Sequence, residues 1–331
     1  MHVLFVVPRV DKASTRYRVL QYLPYLEKQG ISFSIKELSK KARDWVALFQ
    51  RVKQADVVFI QKKIFSKWEI FLIRRIAKRI IFDFDDSIMV KDGAVTAASL
   101  RRQSKRFGRM VCNADLVICG NAYLKTSCEP WNAKLRLLPT PIDTVRYVEK
   151  NDSLYDGDTI TLGWIGSRVT LKYLKDIAPA LSEVARRCPG TRLKIVADEF
   201  FDVEGMEVIK QPWSDSEEIA DLHSFDVGLM PLTDDVWTRG KCGFKLLQCM
   251  AVGTPVVCSP VGMNREIVTD GVEGFWATSQ EEWSEKLVTL IQDRQLRFAM
   301  GKKGIEKVEK TYSLAVNAEL LIAYLKEVCA F

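Results

Sequence analysis

The segment "RGKCGFKLLQCMAVGTPVVCSP" (239–260) places Arg239, Lys241 and Lys245 beside Gly240 and Gly243, where an apolar helical pattern begins. Glycines let the backbone approach an anion, and a helix N-terminus offers unbonded N–H groups and roughly half a positive charge. The lysines add whole charges, so the stretch has the chemistry of a phosphate site. Lys245 and Gln248 are three residues apart and share a helix face, which sets an ammonium one turn from an amide able to bond a hydroxyl. A solvated Lys245 beside a surface Gln248 is the plain alternative. A second stretch, "LGWIGSRVTLKYL" (162–174), joins a turn at Gly163 and Gly166 to Ser167, Arg168 and, one helical turn on, Lys172. It lacks both the GKS/T ending of a P-loop and the spacing of a dinucleotide fingerprint. A third, "RIIFDFDDSIMVKDG" (79–93), carries Asp83, Asp85 and Asp86 at a strand end. Such acids can bind a divalent cation, orient or deprotonate a hydroxyl, or serve as caps and partners of nearby cations. After the first strand, "DKASTRYRVLQYL" supplies Arg16 and Arg18, two residues apart and so on different helix faces.

These residues sit at the punctuation of a repeating pattern. Apolar β runs "VLFVV", "ISFSI", "DVVFI", "RIIFDF", "DLVIC" and "KLRLL" alternate with amphipathic stretches, among them 15–28, 42–53 and 67–79. "PTPIDTVRYVEKNDSLYDGD" (139–158) breaks the rhythm with turn-forming clusters. The pattern then restarts with "TITLGWIGS", a helix over 171–187, "LKIVA", a short helix over 214–223, "DVGLMPL" and "PVVCS", and is helical from 281 almost to the end. Strands alternating with helices predict a parallel sheet covered on both faces. We therefore expect an α/β chain of two Rossmann-like, doubly wound parallel-sheet domains facing a cleft. The boundaries expected are 1–145 for the first domain, 146–158 for the linker, 159–310 for the second domain, and 311–331 for a C-terminal helix that packs back on the first. In such sheets ligands bind beyond the carboxyl ends of strands, where the three stretches above lie.

The whole chain of 331 residues carries a net charge of +7. Residues 1–150 hold 29 basic against 14 acidic side chains, net +15, and residues 151–331 hold 20 against 28, net −8. A basic half suits an anionic surface. Two basic stretches stand out: "KKIFSKWEIFLIRRIAKR" (62–79) interleaves seven cations with Phe65, Trp68, Phe71 and Leu72, and "RRQSKRFGRM" (101–110) adds five more. A basic amphipathic helix of this kind lies on anionic lipid, or else packs its apolar stripe on the sheet. A nucleic-acid reading lacks aromatic platforms or a docking helix. The eight cysteines form no CxxC pair and with two histidines make a poor zinc set. No apolar run reaches membrane-spanning length and the N-terminus does not read as a secretory signal, so a cytoplasmic location, peripheral on the inner membrane face, is expected.

The stretch "GFKLLQCMAVGTPVVCSPVGMNREIVTDGVEGFW" (243–276) resembles the donor-site segment of the GT-B glycosyltransferases of the retaining, glycogen-synthase-like group, whose members read "KLxEYMAxGxPVV" followed by "GGxxEIVxxGxxG". The likeness continues through the glycine turn at 163–166, "VICGNAYL", "LLPTPID" and the helical tail. It implies a glycosyltransferase that moves a sugar from a nucleoside-diphosphate sugar, UDP- or GDP-linked, to a hydroxyl of a glycan or lipid-linked acceptor in cell-envelope polysaccharide or glycolipid assembly. Retention is inherited from the resemblance. It implies that Lys172 and Lys245 hold the diphosphate, so that no metal or other cofactor is expected. The donor-binding set it implies is Gly166, Ser167, Arg168, Arg239, Lys241, Gln248, Gly262, Asn264 and Glu266; contacts to the base are expected separately around "QPWSD" (211–215), with Trp213. The paired glutamates of the family, separated by seven residues, fall at Gly240 and Gln248, and its arginine after the glycine turn falls at Ser167, beside Arg168. The family's acceptor-site histidine is absent, which leaves Asp85 or Asp86 beside the acceptor hydroxyl and Arg16 or Arg18 touching the acceptor. A non-catalytic relative that only binds a nucleotide sugar is the alternative.

Overall fold

The computed structural model describes residues 1–38, 42–90, 97–132, 134–150 and 159–330, so most of the expected linker lies outside the described residues. These residues form two compact units: 1–141 with 239–242 and 314–331, and 142–238 with 243–313.

In the first unit β1 (His2–Val7), β2 (Ser32–Glu37), β3 (Val57–Gln61), β4 (Ile80–Phe84), β5 (Leu116–Cys119) and β6 (Leu135–Leu137) pair in parallel, in the order β2-β1-β3-β4-β5-β6. Alternate residues of β1 point to opposite faces, as the pleat requires. Leu4 and Val6 join Val58, Ile60 and the inner faces of α3 (Ala42–Gln54), α4 (Lys67–Ile76) and α5 (Ala97–Asn113). Val3, Phe5 and Val7 join Val57, Phe59, Tyr22 and Leu26 on the other face. The stretch expected as one helix over 15–28 is α1 (Ala13–Arg18), a 3-10 turn and α2 (Leu23–Lys28). Pro24, within the first two residues of α2, has no N–H to continue a helix from before it. α6 (Ala122–Thr126) follows β5.

The second unit holds β7 (Thr161–Ile165), α7 (Arg168–Asp176), α8 (Ala178–Arg187), β8 (Arg192–Ala197), β9 (Glu207–Pro212), α9 (Glu218–His223), β10 (Val227–Met230), α10 (Phe244–Ala251), β11 (Val256–Cys258), α11 (Asn264–Ile267), β12 (Gly274–Trp276), α12 (Gln280–Gln292) and α13 (Arg294–Lys307). Its parallel sheet runs β12-β11-β10-β7-β8-β9, a doubly wound order. The single helix expected over 171–187 is two, because Pro179 starts α8. β9 and β12, edge strands of mixed polarity, carry no alternating apolar signal and were not expected.

The last helix, α14 (Leu314–Cys329), belongs to the first unit. Leu314, Leu321, Leu325 and Val328 complete the β1/β3 core opposite α3, while Glu327 pairs with Arg136 and Tyr324 donates to the Leu137 carbonyl at 3.0 Å. Residues 142–150 pack with the second unit: Tyr147 is buried in its core, and Lys150 donates to the Phe225 carbonyl at 2.6 Å. Burial pushes the Lys150 ammonium down to about 8 although Asp226 opposes the shift. No helix among the described residues is long and apolar enough to cross a membrane.

Candidate functional site

Each sheet reverses its strand order at one point, between β7 and β10 in the second unit and between β1 and β3 in the first, and ligands of doubly wound sheets bind beyond the carboxyl ends there. In the second unit β7 is followed by Gly166, whose N–H bonds the Val196 carbonyl at 3.0 Å. Ser167 is the N-cap of α7, its N–H bonding Thr170 Oγ1 at 3.1 Å. Arg168 is exposed and 3.6 Å from Glu199, and its backbone N–H donates to Asp198 Oδ1 at 2.6 Å. A carboxylate therefore already answers the first turn of α7. Lys172, exposed, lies over the rings of Tyr173 and Trp237 at 5.0 and 5.7 Å, the latter in the loop after β10.

The start of α10 differs. Its N-cap Gly243 has φ +62°, a left-handed conformation that side chains disfavour, and a Cβ there would also stand 2.4 Å from Ile267 Cδ1. Lys245, in the first turn, is half-buried and donates to Gln248 Oε1 at 3.0 Å. Gln248 is fully buried and donates to Tyr147 Oη at 2.9 Å. Tyr147 donates to Glu218 Oε1 at 2.5 Å, and Trp213 Nε1 donates to Glu218 Oε2 at 2.9 Å. One chain of hydrogen bonds thus links the expected phosphate cation to the expected base-side tryptophan, which is 43% exposed. Gln248, Tyr147 and Glu218 are its buried members, and Gln248 supports Lys245 from below.

Beside α10, Asn264 is buried and donates to the Ser259 carbonyl at 2.9 Å, holding the turn in which Gly262 has φ +51°. Partial desolvation lifts the Glu266 carboxyl above its usual range. Ser259 and Val261 line a cavity of ≈ 380 Å³ with Tyr173, Asp234 and Arg265.

In the first unit two residues expected at the acceptor have partners inside the unit. Arg18 is fully buried, pairs through two nitrogens with Asp83 and donates to the Leu138 carbonyl at 2.6 Å. It fastens α1 to the sheet and does not reach an acceptor. Arg16 is half-buried, lies over the Tyr17 ring at 4.6 Å and donates to its hydroxyl. Asp85, expected beside the acceptor, is occupied by Lys62 at 2.8 Å, with Thr140 Oγ1 at 3.5 Å. Asp86 is 3.7 Å from the same ammonium and keeps 40% of its side chain exposed. Burial opposes the charge on Asp85, yet Lys62 and then Arg18 outweigh it and hold its carboxyl below the usual range. The same acids lift the Lys62 ammonium against the effect of its own burial. Lys62 follows β3 at φ +55°, and among the described residues it is the non-glycine residue with a positive φ. A lysine in that conformation costs about 1–2 kcal/mol, so the surroundings over-determine it. The sequence hid it inside a run of seven cations.

Arg239 and Lys241, expected to bind donor, group with the first unit: both carbonyls accept from Asn121 Nδ2, at 3.4 and 3.1 Å, and Cys242 Sγ lies 3.1 Å from the Asp85 carbonyl. Gly240 is pressed on Ser87, where a Cβ would fall 1.8 Å from Oγ. That contact, not backbone freedom, accounts for the glycine.

Residues 159–293 match the family described as Glycosyl transferases group 1. Sulfoquinovosyl transferase SQD2 of Arabidopsis thaliana is 28% identical over 163 residues, 46% of this chain and 30% of that protein. D-inositol 3-phosphate glycosyltransferase of Corynebacterium glutamicum is 27% identical over 121 residues, 36% of this chain and 28% of that one. The matched stretch spans less than a third of either relative's own length. Among solved structures, HepE of Anabaena in complex with UDP superposes with a TM-score of 0.73 at 14% identity, covering 99% of this chain and 100% of that one. Sucrose-phosphate synthase of Thermosynechococcus elongatus gives 0.73 at 12% identity with full coverage of both chains. At such identities the structures establish the fold, and the sequence match is confined to the second unit. The chain has the GT-B fold of these structures, and its residues 159–293 match glycosyl transferases group 1.

Proposed function

We propose that this chain transfers a glycosyl group from a nucleoside-diphosphate sugar to the hydroxyl of a glycan or lipid-linked acceptor in cell-envelope polysaccharide or glycolipid assembly, with retention and without a metal. The observation that carries the reading is the start of α10, where Lys245, fixed by buried Gln248, stands at a helix N-terminus whose N-cap Gly243 has no side chain to cap it, inside the segment that matches the family. As the bond from the sugar carbon to the diphosphate oxygen breaks, negative charge grows on the departing phosphate. Lys245, the first N–H groups of α10 and Lys172 meet that charge, each well-placed donor contributing about 3 kcal/mol where water is excluded. Gly166, Ser167, Gly262, Asn264 and Glu266 shape the surrounding turns, and Trp213 faces the base. On the acceptor side Asp86, the exposed acid, takes the hydroxyl hydrogen bond, with Arg16 at the rim, while Asp85 is held ionised by Lys62. HepE in complex with UDP and with UDP-glucose favours a uridine donor.

The test is a thermal-shift panel of UDP, GDP, ADP and their sugars, followed by turnover of the labelled sugar that stabilises most, with and without a chelator. Ligand at about 100 times its dissociation constant adds ~2.7 kcal/mol to the folded state. Stabilisation without turnover on any hydroxyl acceptor would favour the non-catalytic alternative. No stabilisation by any nucleotide would end the proposal.

A further inference from the structure

The fold accounts for one face of α4 and leaves the other unexplained. Ile70 and Ile73 point inward to the sheet, each 1% exposed. Trp68, Phe71, Leu72 and Ile76 lie on the opposite side, 70%, 49%, 47% and 37% exposed. At 3.6 residues per turn these four and Arg75 cover one continuous arc of about 140°. The aromatic pair is ordered edge to face, with ring centroids 6.3 Å apart. Lys67 lies over the Trp68 ring at 5.9 Å and Arg75 over the Phe71 ring at 5.9 Å, so charged heads flank the rings. The acid on α4, Glu69, is turned back to cap the helix, accepting from the Ser66 N–H at 2.6 Å. α4 packs between α3 and α5, and α5 has no acidic residue and exposes Arg101, Arg102, Lys105 and Arg106.

From this we infer that the α4 face, flanked by the cations of α5, is a docking surface for an anionic lipid bilayer. Its apolar arc enters the region between headgroups and acyl chains, where tryptophan and phenylalanine bury their rings. The lysine and arginine heads reach lipid phosphates, with about a fivefold gain in binding per cation near the surface. A second copy of the chain is a poor occupant, since it would bring two dense positive fields together. A nucleic acid would leave Leu72 and Ile76 uncovered. The inference stands apart from sugar transfer, because docking needs no donor.

It is tested by flotation with vesicles of phosphatidylcholine and phosphatidylglycerol in equal parts, against pure phosphatidylcholine, without nucleotide. The protein is expected on the anionic vesicles alone, with release as salt is raised. Trp68→Ala with Phe71→Ala is expected to weaken binding at least about tenfold, and Lys67→Glu with Arg75→Glu to do so through charge, both with melting unchanged because these side chains are exposed. Trp68→Phe should abolish most of the quenching of tryptophan emission by brominated lipid. Equal binding to both vesicle types, binding indifferent to both double variants, or a variant-sensitive dimer in ultracentrifugation without vesicle binding would each overturn the inference.

Discussion

Replacing Lys62 by Met removes the ammonium from a pair of acids while keeping the length and the left-handed backbone, so strain cancels between variant and parent. At 2.8 Å the attraction to Asp85 is about 6 kcal/mol at an effective dielectric constant near 20, a gross figure offset by desolvation of both groups. Removing one partner of a buried pair leaves the other uncompensated, at a cost of about 3–5 kcal/mol. The same substitution in an Asp85→Asn background meets no buried carboxylate, and Asp86, being exposed, contributes less than about 1 kcal/mol. Calorimetry on the four proteins of this cycle should therefore give a coupling of roughly 2–4 kcal/mol on the transition of the first unit. The pH dependence supplies the sign. In the parent the depressed Asp85 carboxyl favours the fold above its unfolded value of 3.8 and loses that contribution as pH falls through its folded value. Without Lys62 the largest charge opposing burial is gone and the carboxyl moves up from its depressed value, so the variant's deficit is largest near neutrality and shrinks toward acid. Additivity of the two substitutions within about 0.5 kcal/mol would refute the pairing and with it the role given to Lys62.

Lys245→Ala should lower kcat/KM for the nucleotide sugar at least about a hundredfold, since one donor to the departing phosphate is lost, and should cost about 1–3 kcal/mol of stability because the buried Gln248 oxygen loses its donor; near-normal turnover would remove the lysine from the mechanism. Lys150→Met tests the buried ammonium. Its folded value near 8 lies below the unfolded 10.5, so the penalty is complete below pH 8 and relieved as pH rises to 10.5. The variant's stability relative to the parent should thus fall by about 3 kcal/mol over that window, read from denaturant midpoints, and a flat difference would contradict the burial argument. Gly240→Ala should cost at least about 1–3 kcal/mol by overpacking on Ser87, and less in a Ser87→Gly background; equal losses in both backgrounds would point to a different contact.

The period of the apolar runs carries the two parallel sheets because each central strand is buried on both faces and reads as unbroken Val, Ile, Leu and Phe. β9 and β12 escaped because edge strands face solvent and need no such run. The place of Lys245 in the first turn of a helix was legible because a glycine, a cation and an apolar helical run are adjacent in sequence. Lys62, Asp85 and Thr140 meet only through strand order, across intervals that no local pattern spans. Arg18 shows the converse error: a charged residue beside a strand end looks like a ligand contact until its partner, Asp83, is seen 65 positions away. Gly240 looked like a lost glutamate; the close approach to Ser87 that selects it was invisible in one dimension.

Gln248, where the family has a glutamate, follows from the same network. Donors and acceptors run in one direction: Lys245 gives to the amide oxygen, the amide nitrogen gives to Tyr147, and Tyr147 gives to Glu218, which Trp213 also supplies. A carboxylate at 248 keeps the lysine but has nothing to donate to Tyr147, whose own proton is committed to Glu218. It would set two acceptors against each other at a fully buried position. Leaving such a pair unsatisfied costs about 1–3 kcal/mol, more when one member is charged. Gln248→Glu should therefore lower the melting temperature and fail to raise turnover, while the added Tyr147→Phe, which removes the opposing oxygen, recovers part of the loss. If Gln248→Glu instead raises activity at unchanged stability, residue 248 contacts the donor directly, and the view of Gln248 as support for Lys245 is wrong.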